Sequence, residues 1–219
     1  MAHVIWDWNG TLMDDFPLLL ASANSTLARF GGGQLDVDGY RSAFRRPINL
    51  FYMDLLGRDL SDAEWAELDQ HFHEHYATNM HQVHLTEGAP ELLASVQRAG
   101  NTQSVLSMWF EDQLVPFIES RRVGGHFVRV DGRPLDAPPG SKTPHLANHL
   151  ESLVADGHEI GEIVMIGDTV DDAEAAFANG IPVVLYAGGE FSVDRLVATG
   201  APVAASLPEA LDLAGVRRH

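Results

Sequence analysis

Cysteine is absent from the 219-residue chain. Disulfides and thiolate metal sites are therefore excluded, although this says little about compartment. Lysine is almost absent as well. Lys142 is the single one, and the other thirteen basic residues are arginines. No apolar run approaches the roughly 18 residues needed to span a bilayer. The opening MAHVIWDWNGTL lacks a basic segment leading into a long apolar run, which argues against a signal peptide. A soluble cytoplasmic protein is the simplest expectation. Positive charge is scarce overall, with 14 basic residues against 31 acidic ones and a net charge of -17 at pH 7. Such a surface repels nucleic acid and anionic membranes, so neither is expected as a partner. It also repels small anions at long range. An anion site in this chain needs a local cation, which makes the position of Lys142 informative.

With 45% hydrophobic residues the chain can bury a sizeable core, as one large domain or one domain with an insert. Glycine (20) and proline (11) are near globular averages, so nothing points to a disordered or fibrous chain. Continuous apolar runs at 3–6, 101–107, 160–167 and 181–186, with a short one at 201–203, read as buried parallel strands. Helical patterns separate them at 90–98, 110–120, 143–155 and 171–179. This alternation predicts an α/β fold with a mostly parallel sheet.

The interval 16–84 differs, because it shows helical patterns and no strand pattern. An apolar helix over 17–30 stops at Gly31-Gly32-Gly33. Short helices are expected at 37–44 and 50–56. Ser61-Asp62-Ala63-Glu64 reads as a capping box ahead of a helix carrying Trp65, Leu68 and Phe72. The three glycines follow no strand, so they read as a helix stop and link rather than a phosphate loop. A helical insert here would follow the first strand. Such inserts can cover the carboxyl edge of an open sheet, where ligands bind.

Polar residues stand where the apolar runs end. Asp7 follows the first run, Ser107 ends the second, and Asp168, Asp171 and Asp172 follow the third. Lys142 opens the helix before that third run. The carboxyl ends of neighbouring parallel strands converge, which would gather carboxylates, a hydroxyl and the only ammonium in one crevice.

With these residues the sequence resembles the haloacid-dehalogenase-like superfamily, and within it the phosphoglycolate-phosphatase-like members with a helical cap. The first family motif, Asp-x-Asp-Gly-Thr, reads Asp7-Trp8-Asn9-Gly10-Thr11. The second is Ser107 after Val105-Leu106. The third is Lys142 at a helix start. The fourth is Gly167-Asp168-Thr169-Val170-Asp171-Asp172. The resemblance covers nearly the whole chain. It implies a Rossmann-like parallel-sheet core over 1–15 and 85–219, with an α-helical cap over 16–84 inserted after the first strand. It implies a phosphatase in which Asp7 attacks phosphorus and forms an aspartyl-phosphate. Mg²⁺ would be held by Asp7, Asp168 and the backbone carbonyl of Asn9, an oxygen-rich set that suits this ion. The metal would offset repulsion between the anionic nucleophile and an anionic substrate. Ser107 and the amides of Gly10 and Thr11 would hold phosphoryl oxygens. Lys142 would neutralise developing charge. Asp172 would orient Lys142 or a metal-bound water, with Asp171 as the alternative; either could instead cap a helix. The implied partner is a small phosphorylated metabolite, with phosphoglycolate or another small phosphomonoester as the default. The chain is compatible with a monomer or a homodimer.

Asn9 departs from the family pattern. The second aspartate of the motif usually protonates the leaving group and then activates water, and a carboxamide does neither. General acid–base catalysis is worth ~10²–10⁴-fold. Three readings follow: a working phosphatase with a compensating group or an activated substrate, an enzyme of different chemistry, or a weakly active or non-catalytic phosphate-binding protein. Members that cleave carbon–phosphorus bonds use a cap lysine, and 16–84 contains none. Dehalogenation fits poorly, because that branch needs no metal and this chain keeps Asp168. The Asn9-Gly10 pair also invites deamidation to Asp when flexible.

Arg45, with Arg41 and Arg46, stands in the expected cap and is a candidate for a substrate carboxylate or second phosphate. Met108 and Trp109 follow Ser107 and are candidate substrate contacts, as is Trp8 beside Asp7. His71, His73 and His75 resemble a metal cluster but lack a His-Glu-x-x-His pattern, so a solvated helix is expected. His145 and His149 read as structural. Phe51, Tyr52, Trp65 and Phe72 read as cap core.

Overall fold

The first strand, β1 (His3–Trp6), is buried along its whole length. A strand this apolar must be covered on both faces and flanked on both edges. A computed structural model of the chain, describing residues 1–136 and 140–219, places it in the middle of a six-stranded sheet. The other strands are β4 (Thr102–Phe110), β5 (Arg129–Arg133), β6 (Ile163–Gly167), β7 (Val183–Tyr186) and β8 (Val203–Ala204). The order is β5-β4-β1-β6-β7-β8 and every pairing is parallel. A separate two-stranded ribbon pairs β2 (Met13–Asp14) with β3 (His84–Leu85).

Helices α5 (Ala89–Arg98), α6 (Glu111–Ser120), α7 (Thr143–Ala155), α8 (Val170–Ala178), α9 (Val193–Val197) and α10 (Leu207–Leu213) accompany the sheet. Leu146, Leu150 and Leu153 give α7 its buried face, at the three- and four-residue spacing of one helix side. Two sequence expectations are refined. The second strand does not end at Ser107 but runs on to Phe110, with its register against β5 shifting between Leu106 and Phe110. The edge strand β5 (sequence RVDGR) was not expected, because it carries no apolar run.

The chain divides into two compact units. One comprises Met1–Asp14, Leu85–Gly189 and Val193–His219 and holds the parallel sheet. The other comprises Asp15–His84 and Glu190–Ser192. The second is helical: α1 (Phe16–Phe30), α2 (Val37–Ala43), α3 (Ile48–Leu56) and α4 (Asp62–Asn79). A helical cap is thus inserted after the first strand of a Rossmann-like parallel sheet. Gly31 ends α1 in a left-handed conformation (φ 86°), which glycine adopts without steric cost. The Ser61–Glu64 capping box forms both of its reciprocal bonds, 3.3 and 3.0 Å. Tyr40, Phe44, Phe51 and Tyr52 are buried and pack ring on ring, and Phe191 joins them at 5.1 Å from Phe44. The triplet 190–192 therefore belongs with the helices although it lies over a hundred residues from them in sequence.

His73 is exposed as expected, whereas His71 and His75 are half-buried. They face α1, where His75 Nδ1 lies 3.0 Å from Ser22 Oγ and His71 Nε2 lies 3.2 Å from Ser25 Oγ. Among the described residues they do not form a group able to hold a metal ion. No helix among those residues is long and apolar enough to cross a membrane.

A buried polar chain runs through the core unit. Thr102 Oγ1 meets His3 Nδ1, His3 Nε2 meets Ser104 Oγ, and Ser104 Oγ meets His149 Nε2, each at 2.8 Å. His149 Nδ1 then meets Asp131 Oδ2 at 2.7 Å, and Arg129 Nε donates to the same oxygen at 2.6 Å. One orientation satisfies every member: Thr102 donates to His3, His3 to Ser104, Ser104 to His149, and His149 to Asp131. The chain ties β1, β4, β5 and α7 together.

Candidate active site

The register of the sheet decides which side chains meet. Trp6 pairs with Val105 on one side and Ile166 on the other. The residue after β1 is Asp7, whose amide donates to the Ile166 carbonyl at 2.8 Å. On the flanking strands, Ser107 lies in the carboxyl half of β4 and Asp168 directly follows β6. Lys142 stands at the start of α7 and Asp172 in the first turn of α8.

Asp7, Ser107, Lys142, Asp168 and Asp172 are all buried. The Lys142 ammonium donates to Asp7 Oδ1 and, at 2.5 Å, to Asp172 Oδ1. Asp172 is saturated. Its second oxygen accepts from the Asp168 amide (3.1 Å), the Thr169 amide (3.0 Å) and the Thr169 hydroxyl (2.7 Å). Thr169 is the helix N-cap and Asp172 its capping-box partner, so one carboxylate both closes α8 and holds Lys142. Asp171, its competitor in the sequence, is only half-buried, and it is Asp172 that takes the Lys142 ammonium.

The loop after Asp7 is a tight turn. The Met13 amide donates to the Trp8 carbonyl (2.8 Å), and the Gly10 amide donates to the Met13 carbonyl (2.9 Å). Gly10 has φ +74°, and a Cβ there would run into the Asp168 carboxylate. Gly189 approaches the same carboxylate from the loop after β7, again with no room for a Cβ. The Thr11 hydroxyl donates to Asp168 Oδ1 at 3.0 Å. Asp168 is therefore fixed by two glycines and a hydroxyl. Asn9 is half-buried, and its Oδ1 accepts from the Ser107 hydroxyl at 3.4 Å. That hydroxyl also accepts from the Trp109 amide at 3.0 Å.

Burial pushes the Asp7 carboxyl up to about 6; Lys142 opposes this and Asp172 adds to it. Burial works to discharge Lys142, but Asp172 and Asp7 outweigh it and hold the ammonium more firmly than in water. Three buried carboxylates thus face a single buried cation, an arrangement that is costly unless further positive charge is present. Asp7, Asp168 and Asp172 each offer an oxygen within 4.8 Å of the others, the only such group among the described residues. The all-oxygen donor set and its excess negative charge fit a hard divalent cation. Asp172 is the least suited of the three to ligate it, because its oxygens are already taken.

The side chains of the remaining sequence candidates are engaged in other contacts or buried to different degrees. Met108 and Trp109 continue β4 and are half-buried. The Trp109 indole donates to Gln113 at 2.9 Å and packs on Phe117 at 5.2 Å, so it lies against its own following helix. Trp8 is fully buried against Phe117 rather than open to a ligand. Arg45 belongs to the helical unit, where it pairs with Asp54 at 2.6 Å. Gly189 went unnoticed in the sequence. Its signal was the Gly188-Gly189 pair directly after an apolar run, in a place where a backbone must approach something closely.

Known proteins resemble this chain over most of its length. A phosphoglycolate phosphatase from Mesorhizobium japonicum is 28% identical over 185 residues, covering 83% of this chain and 80% of that one. The tyrosine-protein kinase PtkA from Mycobacterium tuberculosis is 27% identical over 218 residues, covering 97% and 72%. A haloacid dehalogenase-like family hydrolase from Streptococcus pneumoniae superposes with a TM-score of 0.76 at 18% identity, covering 97% and 98%; that likeness is one of fold. Residues 4–186 match the haloacid dehalogenase-like hydrolase family, a span that contains Asp7, Ser107, Lys142, Asp168 and Asp172. With the match running over most of its length, the chain belongs to the haloacid dehalogenase-like hydrolase family.

Proposed function

We propose that the protein is a Mg²⁺-dependent phosphohydrolase of small phosphorylated metabolites, of the phosphoglycolate-phosphatase-like kind, working through an aspartyl-phosphate on Asp7. The observation that carries this reading is the buried Asp7–Lys142–Asp172 chain beside Asp168. Asp7 is the carboxylate at the end of the central strand, and Lys142 holds it in place. As phosphorus is attacked, the ammonium that neutralised Asp7 is positioned to neutralise the phosphoryl oxygens, which gain charge in the transition state. Asp172 keeps that ammonium charged and oriented. Ser107 and the amides of the loop after Asp7 are the donors available to the remaining phosphoryl oxygens. Asp7 and Asp168, with the Asn9 carbonyl, would hold Mg²⁺, which when bound supplies charge neutralisation between nucleophile and substrate. The Mesorhizobium relative's name supports a phosphomonoester such as phosphoglycolate as substrate.

The test is inorganic phosphate release from a panel of alkyl, aryl and acyl phosphates, with Mg²⁺ and with EDTA, beside Asp7→Asn. Metal-dependent turnover that vanishes in the variant is expected. Turnover unaffected by Asp7→Asn removes the nucleophile from the proposal. Asn9 favours one second reading, a phosphate-ligand-binding protein with little turnover. That reading predicts Mg²⁺-dependent binding of a phosphate ester with no phosphate released from any member of the panel.

A further inference from the structure

Asn9 occupies a well-defined place. The Trp8–Met13 turn holds it after Asp7, and its side-chain oxygen takes the Ser107 hydroxyl. A carboxamide at this point neither gives nor takes a proton near neutral pH. Nor do the other groups of the core cluster supply a base. Asp172 accepts four hydrogen bonds, one of them from Lys142, and a carboxylate so stabilised as an anion is a poor proton acceptor. Asp168 receives the Thr11 hydroxyl and is walled in by Gly10 and Gly189. Lys142 is held as an ammonium, a form with no lone pair to accept a proton. His145, half-buried in the first turn of α7, feels burial, Arg133 and Lys142, and among the described residues no hydrogen bond joins it to the cluster.

The two half-reactions feel this differently. In the first, an Asp7 oxygen bonds to phosphorus while the bond from phosphorus to the leaving oxygen breaks. The leaving oxygen keeps the electron pair. A carboxylate or phenolate is stable with that charge, whereas an alkoxide needs a proton. In the second, a water oxygen bonds to phosphorus, the bond to Asp7 breaks and returns its electrons to the carboxylate, and the water must lose a proton. Only the second step requires a base for every substrate.

We propose that Asn9 makes this site selective for acyl and aryl phosphates, and that the phosphoryl group then persists on Asp7 because hydrolysis of the aspartyl-phosphate is the slow step. The inference rests on the phosphohydrolase reading given above and narrows its substrate class. It also makes the protein a phosphoryl carrier between turnovers, able to yield the group to an acceptor that needs no deprotonation.

The experiment is rapid-quench kinetics with p-nitrophenyl phosphate and acetyl phosphate in the presence of Mg²⁺, together with mass spectrometry of the quenched protein. The Asn9-Gly10 peptide is mapped first, since conversion to Asp would mimic a variant. The Gly10 amide nitrogen that would attack Asn9 is already bonded to the Met13 carbonyl, so little conversion is expected. A burst of p-nitrophenol approaching one equivalent per protein is expected, followed by a slow phase, with one phosphoryl group located on Asp7. Asn9→Asp should abolish the burst and raise the steady rate by ~10²–10⁴-fold. His145→Gln should leave both phases unchanged. Linear release without a phosphorylated Asp7, an Asn9→Asp variant that is no faster, or a His145→Gln variant that slows the second phase would each overturn the inference. If Asn9→Asp turns over while the parent shows no burst, the phosphohydrolase reading stands and this inference falls. If neither protein releases product nor takes up phosphoryl, both fall together.

Discussion

The buried chain from Thr102 through His3, Ser104 and His149 to Asp131 makes a quantitative prediction about acid stability. Burial first, and then the neighbouring rings of His158 and His149, push the His3 imidazole down to about 3 from its ordinary 6.5. The His158 ring centroid is 4.5 Å away, and His149 is reached through the Ser104 hydroxyl. A second proton on His3 would have no acceptor, because one nitrogen must receive the Thr102 hydroxyl in the orientation that satisfies the chain. The sign follows from linkage. Below its ordinary value the unfolded histidine is protonated and the folded one is not, so the unfolded state binds more protons and stability falls as pH falls. Between pH ~7 and pH ~4.5 this amounts to about 2–3 kcal/mol, at ~1.36 kcal/mol per unit of displacement. His3→Gln removes the titration while keeping one acceptor and one donor for Thr102 and Ser104. At pH ~7 the variant should be less stable by about 0.5–1.5 kcal/mol, the net worth of an imperfectly replaced hydrogen bond. At pH ~4.5 that deficit should shrink or reverse by about 2–3 kcal/mol. Urea unfolding of both proteins across this pH range measures the difference, and contributions of Asp7 and the other carboxylates cancel between them. A stability difference that stays constant with pH refutes the reasoning.

Removing the buried cation should be costly. Lys142→Met leaves Asp7 and Asp172 buried without their partner, and a loss of about 3–5 kcal/mol is expected; a variant as stable as the parent in urea would contradict the ion-pair geometry. In that variant added Mg²⁺ should recover part of the melting temperature, because a divalent ion would compensate the same carboxylates. Gly189→Ala places a Cβ against the Asp168 carboxylate. Mg²⁺ affinity by calorimetry should fall by ~10–100-fold, as for other changes to groups that orient a ligand. Unchanged affinity would mean that Asp168 is not a ligand.

The sequence by itself determined the elements whose signals are local. β1, β6 and β7 are buried, so their residues read as continuous apolar runs, and the aspartates that follow β1 and β6 mark the sheet's carboxyl edge. Helix ends at Gly31 and Ser61 were legible because positive φ and the reciprocal cap are properties of a few adjacent residues. The tertiary structure alone decided what depends on which segments become neighbours. β5 has no apolar run and is a strand only because β4 offers it a ladder, with Ser104 paired to Arg129. Asp172 rather than Asp171 meets Lys142 because Thr169 caps α8 and turns the third residue of its first turn inward. His3, Ser104 and His149 are unremarkable in sequence, more than forty residues apart at the closest, and become one hydrogen-bonded chain only when β1, β4 and α7 pack. A periodic pattern reports how a residue sits relative to its own neighbours along the chain. It carries no information about the partner across a packed interface, and in this protein the charges and protons of the site are set by those partners.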